Sequence, residues 1–130
     1  MKRSLTVAVI GLLALAALVP AAQTPKKPDI LGTWVGYALS PDTRFELTVV
    51  FDKAGTGYAG KLSDASGAIA ETPLREILFK DDKLTFEFDL DLGGQIMLIK
   101  IALTLENEAL KGFWFDAEGN SDVIELALKK

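Results

Sequence analysis

The sequence predicts an all-β domain: an eight-stranded antiparallel up-and-down β-barrel, with a two-sheet sandwich as the structural alternative. Three observations carry this. From residue 30 to 129, apolar and polar side chains alternate with a period of two, and almost nothing repeats at the helical period. Turn-forming residues interrupt the alternation at short intervals. The 130 residues include neither cysteine nor histidine, so no disulfide or zinc framework substitutes for a packed core.

The chain begins with a segment that is not part of the domain. Residues 1–22 read as a secretory signal peptide: Lys2 and Arg3 are followed by an uncharged apolar run, Leu5 to Val19, and by Pro20-Ala21-Ala22. The run is shorter than the ~20 residues a membrane-crossing helix needs, so cleavage is expected rather than retention. Without cysteine there is no lipid-modified anchor. Residues 23–29, with two prolines and no large apolar side chain, read as a linker, and residues 30–130 as the barrel domain.

Eight strands are predicted, at about 31–39, 44–52, 57–63, 73–80, 83–91, 95–105, 109–116 and 122–129. The clearest is the fifth, where Leu84, Phe86, Phe88, Leu90 and Leu92 alternate with Thr85, Glu87, Asp89 and Asp91. Phe45, Leu47, Val49 and Phe51 form one face of the second strand, and Met97, Ile99, Ile101, Leu103 and Leu105 one face of the sixth. Polar turns separate the runs, among them Ser40-Pro41-Asp42-Thr43, Lys80-Asp81-Asp82-Lys83 and Gly93-Gly94. Ser63 to Thr72 is the longest connection. Short loops make sequential strands antiparallel neighbours. Pairing the first strand with the last brings the dry faces together and removes exposed edges.

Composition narrows the function. The signal segment holds two of the 14 basic residues and none of the 18 acids, which leaves the mature chain near −6. An acidic surface argues against nucleic acid and anionic membrane as partners, and the mature form is expected to have no membrane span. The destination is the periplasm or the outside of the cell. No nucleophile stands beside an activating base, so a non-enzymatic protein without cofactor or metal is expected. Asp89, Asp91, Asp81 and Asp82 read as solvated surface rather than as a calcium site or an acid/base pair.

Gly32-Thr33-Trp34-Val35-Gly36 opens the first strand, Leu84-Thr85-Phe86 lies in the fifth, and Leu110-Lys111-Gly112-Phe113-Trp114 in the seventh. This pattern resembles the calycin superfamily, and in particular small secreted bacterial lipocalin-like domains. The resemblance implies a barrel plugged at one end by the first tryptophan and a binding function for small hydrophobic molecules. The sequence departs from the family in lacking a late arginine, a C-terminal helix and a helical lid. Gly36 stands where avidins carry a biotin-reading asparagine, so biotin is not the expected ligand.

Two candidate sites follow. Trp34, Phe45, Leu47, Tyr58, Phe86, Phe88, Met97 and Trp114 are the candidate lining of an apolar ligand cavity; the same rings are also able to fill the interior outright. Ile96 and Leu98 face outward on a strand whose inward face is already apolar, and form a candidate surface for a homodimer or an envelope protein partner.

Overall fold

The computed structural model describes residues 29–130; the expected signal peptide and residues 23–28 of the linker lie outside it. Nine strands form one antiparallel sheet: β1 (Gly32–Leu39), β2 (Arg44–Ala54), β3 (Gly57–Asp64), β4 (Thr72–Pro73), β5 (Arg75–Lys80), β6 (Lys83–Leu92), β7 (Gln95–Glu106), β8 (Ala109–Asp116) and β9 (Ser121–Leu128). Their spatial order is β4-β3-β2-β1-β9-β8-β7-β6-β5. The first long strand therefore pairs with the last, from Trp34↔Leu128 to Ala38↔Ile124. The result is a nearly closed up-and-down barrel, and the sandwich alternative is not adopted.

The ninth strand arises because the predicted strand at 73–80 is divided. Its start pairs with β3 through Leu62↔Thr72 and Lys61↔Pro73, and its remainder pairs with β6 from Arg75↔Glu87 to Lys80↔Lys83. The register shifts between Arg75 and Leu78, and Glu76 has a φ of 52°. A strand that changes neighbours must bend, and a bulge with one left-handed residue supplies the bend. At the joint, the Leu74 amide donates to the Gly60 carbonyl at 2.9 Å, and the Leu74 side chain is buried. One segment thus spans the seam between β3 and β6.

Period-two alternation becomes burial almost without exception. Leu84, Phe86 and Phe88 are buried between exposed or half-buried Thr85, Glu87 and Asp89. Turn chemistry fits the tight hairpins: Asp81 and Asp82 both have positive φ, at 53° and 64°, as a two-residue turn matched to strand twist requires. Arg75 donates to both carboxylate oxygens of Asp89, at 2.8 and 3.1 Å, across the outside of β5 and β6. Both partners are well exposed, so the pair contributes little to stability.

Two inward glycines let the sheet close. A Cβ on Gly36 would lie 1.9 Å from the Glu125 carbonyl oxygen, and one on Gly112 would lie 1.9 Å from that of Ala102. Gly36 opposes Leu126 and Gly112 opposes Ile124, so both flank β9, where the first and last strands meet. Backbone cannot retreat as a flexible side chain can. Gly36→Ala or Gly112→Ala is therefore expected to lower unfolding stability by about 2–4 kcal/mol in urea titrations. Gly57→Ala, whose added Cβ meets nothing closer than 3.9 Å, serves as the control and should cost far less.

Candidate functional site

The two ends of the barrel are packed differently. One end carries the β2–β3, β5–β6 and β7–β8 turns and the entry of the chain into β1. There Ile30, Trp34, Phe51, Leu84 and Leu110 are essentially without solvent exposure. The Trp34 indole N–H donates to the Ile30 carbonyl at 2.8 Å, so its polar atom is satisfied inside the core. Phe51 and Phe86 meet edge to face, with centroids 5.6 Å apart. This end is filled.

The other end carries the β1–β2, β6–β7 and β8–β9 turns and the segment 65–71. It contains a cavity of about 230 Å³. The walls come from every long strand except β5: Ala38, Phe45, Leu47, Leu62, Phe88, Leu90, Met97, Ile99, Trp114 and Ile124 all contribute. Trp114 is half-buried, and its indole N–H donates to the Leu39 carbonyl at 2.8 Å, which ties β8 to the end of β1 across β9. That bond fixes the ring as a wall of the cavity and leaves it no free donor. Ala38 is the small inward residue between Phe45 and Ile124 in the register, and its size leaves room in the lumen.

Among the described residues that line the cavity, Ser40 and Asp116 alone bring polar side chains to it. The Ser40 hydroxyl donates to the Thr43 carbonyl at 3.1 Å. Asp116 accepts from the Asn120 side chain and from the Glu118 and Asn120 amides, each at 2.9 Å. The Asn120 amide group, above all, holds the Asp116 carboxyl below its ordinary range, so it is ionised at neutral pH. Both groups serve their own turns, and the site has the character of an apolar pocket with one fixed negative charge at its mouth.

Five of the eight residues predicted to line a cavity come together here: Phe45, Leu47, Phe88, Met97 and Trp114. Three stand elsewhere. Trp34 and Phe86 fill the closed end and the middle of the core. Tyr58 lies near the start of β3 at the closed end, where its hydroxyl donates to Asp29 at 2.9 Å; burial, reinforced by Asp29, raises its pKa. The sequence reading missed Ile69. This residue of the 65–71 segment is 6% exposed and lines the cavity mouth. The clue was present, since Ile69 is the one large apolar side chain between Asp64 and Thr72.

Asp64 builds the segment that carries Ile69. Its carboxylate accepts from the Ile69 amide at 3.2 Å and from the Ser66 hydroxyl at 3.1 Å, while the Asp64 amide donates to the Ile69 carbonyl at 3.2 Å. Ile69 also borders a second depression, of about 270 Å³, between this segment and Gly93-Gly94. One side chain thus separates the cavity from a solvent-facing gap.

The outer surface carries a separate apolar feature. Ile96 is 65% exposed and Leu98 half-buried, opposite Asp91 and Asp89. Further along the same face, a groove of about 400 Å³ lies over Thr85 and Ala102, between Leu78 and Phe115. Leu78, Phe113 and Phe115 are 70%, 51% and 43% exposed. The sequence reading did not single out these three, although Phe113 and Phe115 alternate with inward Gly112 and Trp114.

Asp64→Ala is expected to release the 65–71 segment. Hydrogen exchange at the Ala68 and Ile69 amides should accelerate about fivefold, in line with the ~1 kcal/mol of local hydrogen bonding removed. Amides of β1 and β9 should keep their protection. No protein-family model, curated protein or solved structure matches this chain.

Proposed function

We propose that the chain is an exported, non-enzymatic barrel protein of calycin-like, lipocalin-like type that holds one small hydrophobic molecule in its open end. The observation that carries this reading is the cavity itself, which is hollow where the opposite end is packed and is walled almost wholly by apolar side chains. A pocket of this kind favours an apolar guest through the area it removes from water. The Gly-x-Trp opening and the leader-like segment at 1–22 support a secreted carrier. No covalent chemistry is assigned: the carboxylate at the cavity is engaged by its own turn, and Asp89 and Asp91 are held by Arg75 and by the Gly94 amide.

Titrating the mature protein with a neutral apolar fluorophore should give saturable one-to-one binding and a change in Trp114 emission. Ala38→Phe should fill the lumen, weaken binding at least tenfold and leave the melting temperature unchanged or raised, as expected where a ring enters an existing void. A wild-type protein that binds no apolar probe would overturn the carrier reading.

A second reading, self-association, is favoured by the outer groove. The registered row Leu78–Thr85–Ala102–Phe113–Val123 crosses five strands, and Glu76, Glu87 and Lys100 border the groove. Charges of both signs beside one apolar patch suit a two-fold pairing, in which Lys100 of each copy meets an acid of the other. Sedimentation of the wild type should then show a dimer that Phe113→Lys with Phe115→Lys converts to a folded monomer. Monomers in both proteins would reject this reading.

A further inference from the structure

The two ends of the barrel differ in their cations, and the difference bears on what the cavity accepts. At the filled end, Lys53, Lys80, Lys83, Lys129 and Lys130 are interspersed with Asp29, Asp52, Asp81, Asp82, Glu106 and Glu108. The turns at the open end (40–43, 65–71, 93–94 and 117–120) contain no lysine or arginine. They and the strand ends beside them instead hold Asp42, Asp64, Glu71, Asp91, Asp116, Glu118 and Asp122. Two cations reach these turns: Arg44 pairs with Glu46 and lies 4.1 Å over the outward Tyr37 ring, away from the lumen, and Lys61 pairs with Glu71 at 3.1 Å. Among the described residues no cationic side chain lines the cavity, and the one ionic group that does is a carboxylate.

The apolar cavity makes the site; the acids determine which end group is tolerated at its mouth. A carboxylate-headed chain would lose water there and find no cation. It would also face negative charge across walls of low dielectric, which strengthen the field. An ammonium end would be attracted by the same charges while its chain occupied the lumen. Resting on the carrier reading above, we infer that the cavity is selective for apolar molecules with a cationic end, tolerates a neutral one, and discriminates against fatty-acid-like carboxylates.

Decylammonium, decanol and decanoate share one chain and differ in the end group. Each is titrated below its micellar concentration into the mature wild-type protein at neutral pH, by calorimetry or by displacement of a neutral apolar fluorophore. Decylammonium should bind tightest and decanoate weakest, with a ratio of about tenfold between the two ions at low salt. The ratio should fall to about twofold in 0.5 M salt, because rim charges in contact with solvent are screened. Asp42→Lys combined with Glu118→Lys, neither of which lines the cavity, should narrow it at low salt while leaving decanol binding unchanged. Decanoate binding as tightly as decylammonium, or a preference indifferent to salt and to both substitutions, would overturn the inference and leave the carrier reading standing. Failure of all three to bind would overturn both.

Discussion

The pairing of β1 with β9 is the constraint on which the rest of the structure depends. Without it the strands would fall into two open sheets, β4-β3-β2-β1 and β9-β8-β7-β6-β5, each with a dry face and unpaired edges. With it, the dry faces of both sets of strands meet around one nearly closed interior. The pairing also sets the price of closure, because a small barrel must turn sharply where its ends meet. Gly36 in β1 and Gly112 in β8, on either side of β9, allow the neighbouring backbone to approach to distances that no Cβ tolerates. Both glycines belong to the short Gly/Trp motifs of the sequence, so one motif pair supplies the corners of the barrel along with its two indoles.

Those two indoles take opposite roles because their hydrogen-bond partners differ. Trp34 bonds to the Ile30 carbonyl four residues before it and becomes a filler of the closed end. Trp114 bonds to Leu39, 75 residues away in sequence, and becomes a wall of the open end. Each indole N–H is satisfied by main chain, which leaves the rings to do apolar work only. The cavity is therefore a product of unequal filling: Ile30, Phe51, Leu84 and Leu110 occupy the space beneath Trp34, whereas Ala38 presents a small side chain beside Trp114.

Most of this architecture was legible in the sequence, and the exceptions have physical causes. The run Leu84 to Leu92 alternates so strictly that its buried face is fixed by periodicity alone, and the same holds for Phe45 to Phe51. The break at Leu74 was not legible. Residues 73–80 have ordinary strand composition, and only the need to bridge β3 and β6 forces the bend at Glu76. Tyr58 and Phe86 alternate inward as predicted for cavity residues, but periodicity specifies the face of a strand and not the height along the barrel. Height depends on strand tilt. A registered row that begins at Leu84, close to the filled end, runs through Leu103, Gly112, Ile124 and Ala38 to Phe45 at the open mouth. Ile69 escaped for another reason: a segment rich in Ser, Gly and Ala reads as solvent-facing loop, and one isoleucine gives no period from which to infer burial.

Hollowness at one end is compatible with a domain that lacks disulfides because the loss is confined. A void forgoes dispersion contacts and adds to the free energy in proportion to its volume. Here that cost falls on side chains such as Leu90 and Met97, which lie at strand ends and are only half-buried in any case. The layer around Trp34 keeps its full packing, and the strand ladders run unbroken from β3 round to β6. Charge follows the division in part: lysines and acids mix where the interior is solid, whereas the turns around the hollow end hold acids and no lysine. The filled half holds the sheet in its closed curvature, and that curvature keeps the other half from collapsing onto its own cavity.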